Sequence, residues 1–156
     1  MRPSLPSRNW FRTLGLYVTF SAGLHLAWEV IQLPFYTIWR GGSPGQIILA
    51  VVHCSAGDLM IAALTLVIAL VAFGSTGWPA KRFTPVLGTT LILGVGNTLY
   101  SEWINTVVRK SWAYSEIMPT LPGIGTGLTP LLQWLIVPSI ALMLASRDEL
   151  MRARER

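Results

Sequence analysis

The chain has 156 residues, 52% of them hydrophobic and only 12% charged, and its mean hydropathy is positive, a balance that excludes an ordinary soluble domain. The single cysteine, Cys54, excludes an internal disulfide and a paired-thiol redox relay. The net charge of +5 does not read as a nucleic-acid signal, because the basic residues form short clusters beside apolar runs, where they anchor helices against anionic lipid.

A hydrocarbon core of about 30 Å calls for roughly 20 apolar helical residues. Four segments come near that length, at about 13–38, 46–73, 85–108 and 128–145. The first is too long for the apolar part of a signal peptide and carries His25 and Glu29, so no cleavable leader is expected. Turn formers separate the first three segments, Gly41-Gly42-Ser43-Pro44-Gly45 and then Gly74-Ser75-Thr76-Gly77-Trp78-Pro79, which predicts short hairpin loops and antiparallel neighbours. Between the third and fourth lies a longer stretch, 109–127, with Trp112, Tyr114, Met118, Pro119, Pro122 and three glycines. It reads as an outer interfacial flap rather than a second domain. The expected fold is an all-α integral membrane protein, a single antiparallel four-helix transmembrane bundle over 1–156.

Positive charge in short loops sets the orientation. Arg2, Arg8 and Arg12 precede the first span, Lys81 and Arg82 lie between the second and third, and Arg147, Arg152, Arg154 and Arg156 follow the fourth. Both termini are therefore expected on the cytoplasmic side of an inner, or plasma, membrane. Arg109 and Lys110 are the countersignal on the other side. Of the seven tryptophans, Trp10, Trp39, Trp78, Trp103 and Trp112 stand near span ends and read as interfacial belt residues, whereas Trp28 and Trp134 lie deeper.

Polar residues recur inside the apolar runs. Tyr17, Ser21, His25 and Glu29 follow at steps of four in the first span, which puts them on one helical face. The second carries His53, Cys54 and Asp58, of which Cys54 and Asp58 share a face while His53 diverges. The third carries Thr90, Gly94, Thr98 and Glu102 at steps of four, with Asn97 on the adjoining face, and the fourth carries Gln133. Counted at about 1.5 Å per residue, these groups converge in the outer half of the bundle. An ionisable group near mid-membrane costs on the order of 2.5–3.5 kcal/mol even on the lenient insertion scale, so the set must pair, face water or bind something.

Several chemistries fit. The set can be polar glue between helices that lack a hydrophobic drive to associate. His25, Glu29, His53, Asp58 and Glu102 offer imidazoles and carboxylates to a divalent metal such as zinc or iron, although no H-E-x-x-H or E-x-x-H spacing is present. Without metal, His25 and Glu29 form an acid and base pair that Asp58 orients, with Asn97, Glu102, Gln133 and Trp28 lining a ligand pocket. Proton or ion passage along the stripe from Tyr17 to Glu29 is a further use.

The segment Glu29-Val30-Ile31-Gln32-Leu33-Pro34-Phe35-Tyr36 resembles the E-x-x-x-Q-L-P-F stretch of the emopamil-binding, or EXPERA, family of sterol isomerases and the sigma-2 receptor. Val52-His53 and Leu135-Ile136-Val137-Pro138 resemble later helices of that family more loosely. The resemblance implies a membrane bundle in which Glu29 and Gln32 line a lipid pocket.

The expectation is thus a small polytopic membrane protein whose outer-leaflet polar pocket binds or transforms a hydrophobic small molecule by acid/base chemistry. Its partners are membrane lipid and that ligand, not nucleic acid. The alternatives are an intramembrane metal-binding protein or metalloenzyme, and a non-enzymatic subunit or assembly factor whose Gly94 face docks a partner helix or a second copy of the chain.

Overall fold

The computed structural model describes residues 8–155; Arg2 and Arg156, counted above as topology markers, lie outside them. Helix α1 (Arg8–Gln32) stops earlier than the expected 38. Pro34 supplies no amide hydrogen and disfavours helical backbone in Leu33, so the chain passes into a single 3₁₀ turn, Leu33–Phe35, and then the one-turn helix α2 (Ile38–Gly41). Helix α3 (Pro44–Phe73) opens on a capping box in which Ser43 Oγ accepts from the Gln46 amide at 3.4 Å and Gln46 Oε1 accepts from the Ser43 amide at 2.9 Å. Helix α4 (Phe83–Trp103) continues into a π-helical turn, Ile104–Val108, and reaches the expected 108. Helix α5 (Leu128–Arg154) runs well past the expected 145. Two isolated bridges, Tyr36 with Tyr114 and Thr120 with Gly127, are the only β pairings among the described residues.

The four long helices form a ring in which α1 and α4 each pack against both α3 and α5. Side-chain contacts set the direction: Tyr17 reaches Ala62 and His25 approaches Asp58, while Arg12 pairs with Asp148 and His25 with Gln133. Thus α1 runs antiparallel to α3 and α5, and the short turn after α3 makes α4 antiparallel to its neighbours as well. The periodic stripes face inward. Thr13, Tyr17, Ser21, His25 and Glu29 are buried on α1, and Val86, Thr90, Gly94, Thr98 and Glu102 on α4.

The two ends of the ring differ. At the end that holds the termini, Tyr17, Ala62, Leu66, Ala69, Leu70, Val86, Ala141, Leu142 and Ala145 form an apolar core. Trp78 belongs to this core, 1% exposed and edge-on to Trp10 at 5.3 Å, and is not the belt residue its position suggested. The outer surface of the ring is apolar too, with Ile31, Leu49, Met60, Val71 and Ile92 all more than two-thirds exposed. Three stretches, Trp10–Phe35, Pro44–Phe73 and Leu128–Ala153, are long and apolar enough to cross a bilayer. The chain is a multi-pass helical membrane protein.

Gly94 fixes the α4–α5 spacing. A Cβ at this position would stand 2.2 Å from the Trp134 ring, so the small-residue face of α4 is filled by α5 of the same chain and is not free for a partner helix. Gly94→Ala should lower unfolding stability by about 1–3 kcal/mol through overpacking, read as the midpoint of denaturation in detergent. Gly96→Ala, whose Cβ meets nothing within 4 Å, should leave the midpoint near wild type.

Candidate functional site

Halfway along the bundle, one side chain of α5 ties α1 and α3 to itself. Gln133 Nε2 lies 2.9 Å from His25 Nδ1, 3.2 Å from Glu29 Oε1 and 2.8 Å from Asp58 Oδ2. Gln32 Nε2 donates to Glu29 Oε1 at 2.7 Å and reaches Gln133 Oε1 at 3.4 Å, which turns the Gln133 nitrogen toward the other three groups. His25 Nδ1 accepts from this amide, so the ring proton sits on Nε2. An amide nitrogen carries two hydrogens, and three acceptors share them. His25 Nδ1 also stands 3.6 Å from Asp58 Oδ2. His25, Gln32 and Gln133 are at most 5% exposed and Glu29 9%, so in a bilayer these groups have one another in place of water.

Glu29, Gln32, Asp58 and Gln133 of this knot form the floor of a cavity of about 730 Å³, with His25 buried behind them. One wall is a face of α3 bearing Gln46, Ala50, His53, Cys54, Gly57 and Asp58; the opposite wall is a face of α4 bearing Asn97, Thr98, Ser101 and Glu102, continued by Asn105 of the π turn. Trp134 closes the back, its ring 5.3 Å from the His25 ring and flush against Gly94. Arg109, the only cation among these lining residues, is exposed.

The stretch 109–127 folds over the mouth. Thr37 donates its amide to the Ala113 carbonyl at 3.0 Å, and Ser115 donates its amide to the Phe35 carbonyl at 2.9 Å and its hydroxyl to the Pro34 carbonyl at 3.0 Å. Tyr114 is the latch: its hydroxyl donates to the Glu102 carboxylate and accepts from the Gly127 amide at 2.9 Å. Trp112, placed by sequence at the interface, lines the cavity instead. Burial and the neighbouring Glu102 carboxylate push the Tyr114 phenol well above its ordinary range. The carboxylate it meets sits just before the π turn, where Arg109 donates to the Ile104 carbonyl at 2.7 Å and Thr106 Oγ1 to the Glu102 carbonyl at 2.7 Å.

The residues singled out by sequence therefore separate into groups. His25, Glu29, Asp58, Gln32 and Gln133 come together; Asn97 and Glu102 face them across the cavity; His53 stands exposed at its edge; and Trp28, half-buried on α1, does not line it. The five suggested metal ligands are divided accordingly. Among the described residues no three His, Cys, Asp or Glu side chains are grouped to hold a metal ion, and an amide nitrogen occupies the point where three of the five converge. Two roles escaped the sequence: Gln133 as the common partner, which only tertiary packing reveals, and Tyr114, which lies in a stretch without helical period. No family model matches the chain, and no match is found among curated proteins or solved structures.

Tyr114→Phe removes both latch contacts. Trypsin cleavage after the exposed Arg109 or Lys110 should accelerate by about tenfold or more, since one buried hydrogen bond contributes on the order of 1–1.5 kcal/mol. The pH dependence has a definite sign. The folded protein holds this phenol protonated more firmly than the unfolded chain does, so its contribution is fully present below about pH 10 and is lost as pH rises from there toward the higher folded value. Proteolysis of the wild-type flap should therefore quicken in alkali, and that of Tyr114→Phe should respond less.

Proposed function

We propose that the cavity is a binding site for a hydrophobic small molecule, held in the outer half of a four-span bundle. Its size carries the reading: about 730 Å³ falls within the range of pockets that enclose drug-sized ligands. Its lining combines apolar side chains, among them Leu33, Ile38, Val51, Ile61 and Trp134, with polar groups on the floor and on both walls. In this reading α4 is the fourth span. Its 21 residues reach about 31 Å, and it lies alongside α3 and α5. Arg12, Lys81, Arg82, Arg147 and Arg152 gather at the end that holds the termini, which the positive-inside rule places in the cytoplasm. The flap then faces the outer leaflet, on the far side of an inner or plasma membrane.

Glu29 and His25 supply acid/base capacity. They touch through a shared amide; Glu29 lines the cavity, and His25 stands behind Gln133, one contact away from it. Glu102 and Asn97 offer polar contacts from the opposite wall. The end of α1 supports the same reading, because Glu29 and Gln32 both line the cavity. A subunit whose polar knot only fixes the bundle is the competing reading, and it leaves the cavity without a use.

The test is extraction and mass spectrometry of small molecules retained by protein purified in native lipid discs. Wild type should carry a stoichiometric hydrophobic compound. Gly57→Phe, which projects a ring into the cavity from a position with nothing within 4 Å, should lose it while remaining folded. Glu29→Gln should bind the same compound about tenfold more weakly, near the 1.4 kcal/mol of one polar contact. An empty wild type, or a Gly57→Phe variant that retains the compound, would contradict the pocket.

A further inference from the structure

The flap closes the cavity on three of its four helices. Its hydrogen bonds go to the turn after α1, through Pro34, Phe35 and Thr37, to Glu102 and the π turn, and to the first residues of α5; among the described residues none goes to α3. On that uncovered side Gln46, His53, Arg109 and Ser111 line the cavity and are exposed. His53 stands nine residues beyond Pro44, the first residue of α3, or about 14 Å from the outer end of the helix. The opening therefore follows the α3–α4 seam inward as a slot. Asn97 and Ser101 of α4 and Asn105 of the π turn, all half-buried, form its other edge. The surface beside the slot is apolar: Leu49, one turn before His53, and Val52 are more than half exposed, as is Tyr100 next to Ser101.

Inside the slot, acceptors outnumber donors. Glu29, Asp58 and Glu102 bring carboxyl groups from α1, α3 and α4. The Gln32 amide gives its nitrogen to Glu29 and Gln133, and its buried oxygen has no partner. Arg109, the cation of the lining, is exposed at the rim. A wholly apolar body filling this space would strip water from these groups and return no hydrogen bond. A wholly polar one would gain nothing from a slot that opens onto hydrocarbon. An amphiphile meets both conditions, its polar end inside and its apolar end out.

We propose that the occupant is a membrane lipid of the outer leaflet whose head group donates hydrogen bonds, through an ammonium or through hydroxyls. The head group enters by the α3–α4 slot, and its chains remain in the bilayer against Leu49, Val52 and Tyr100. Its donors meet Glu102, Asp58 and Asn97, while Arg109 and Ser111 at the rim face the phosphate where the lipid has one. The slot lets the chains leave sideways at the depth of His53, so they need not fit within the bundle. This inference rests on the pocket reading and names the class of molecule it holds.

The experiment reconstitutes the full chain in vesicles of phosphatidylethanolamine, phosphatidylcholine and a monoglucosyl diacylglycerol in equal parts with identical chains, then counts the lipids retained after detergent extraction by native mass spectrometry. Wild type should keep one phosphatidylethanolamine or glucosyl lipid per chain, at least about fivefold over phosphatidylcholine, whose head group has no donor. Which of the two it keeps distinguishes ammonium from hydroxyl. Gly57→Phe should lose this lipid. Asn97→Leu, a half-buried change at the slot that keeps the test decisive if Gly57→Phe does not fold, should reduce the preference about threefold or more. Retention without preference among the three lipids, or the same retention in both variants as in wild type, marks surface lipid only and overturns the proposal. A wild type that instead keeps a compound other than these lipids, lost in Gly57→Phe, overturns it and leaves the pocket standing; a wild type that keeps nothing overturns both.

Discussion

The contact on which the bundle turns is the side-chain amide of Gln133. Helices already surrounded by lipid gain little from apolar contact with one another, so close packing and polar contacts must decide how they associate. One nitrogen on α5 meets a histidine and a carboxylate of α1 and a second carboxylate of α3. Each of these groups is stranded in a bilayer without the others. The knot therefore acts as a register pin: sliding α5 by one residue moves Gln133 about 100° around its axis and leaves three buried groups without their donor.

The knot also divides the molecule. Toward the termini the ring closes on small and apolar side chains, with Ala62, Ala69, Ala141 and Ala145 letting the helices approach. Toward the flap, α3 and α4 present polar and small residues to the cavity between them. Gly94 and Trp134 sit at the boundary, where the absence of a Cβ on α4 admits the indole that backs both the cavity and His25. The flap then closes the open end through the backbone of Phe35 and Thr37 and through the Tyr114 latch on Glu102. A closed apolar half and a hollow polar half are what a membrane protein needs to hold a site at depth without losing its fold.

Much of this was legible in the residues. The steps of four from Tyr17 to Glu29 and from Thr90 to Glu102 marked the inward faces of α1 and α4, and both stripes are buried. The depth count brought His25 and Asp58 into the same half of the bundle, and they stand 3.6 Å apart. The helix ends were less legible. α1 stops before Pro34, although apolar residues continue to Ile38, because backbone chemistry and not hydropathy ends a helix. Trp78 and Trp112 looked like interfacial residues by position, but turns in the chain carry one into the core and the other over the cavity. The contacts of Gln133 and Tyr114 link residues on different elements, and a periodic pattern on one helix carries no record of its neighbour.

A double-mutant cycle between Asp58→Ala and Gln133→Ala, with unfolding followed in mixed micelles, tests the pin directly. A coupling energy of about 1 kcal/mol, at the upper part of the range for buried polar pairs in membranes, is the predicted result. Effects of the two substitutions that add to within about 0.3 kcal/mol would show that the two side chains do not depend on one another, and would contradict the account.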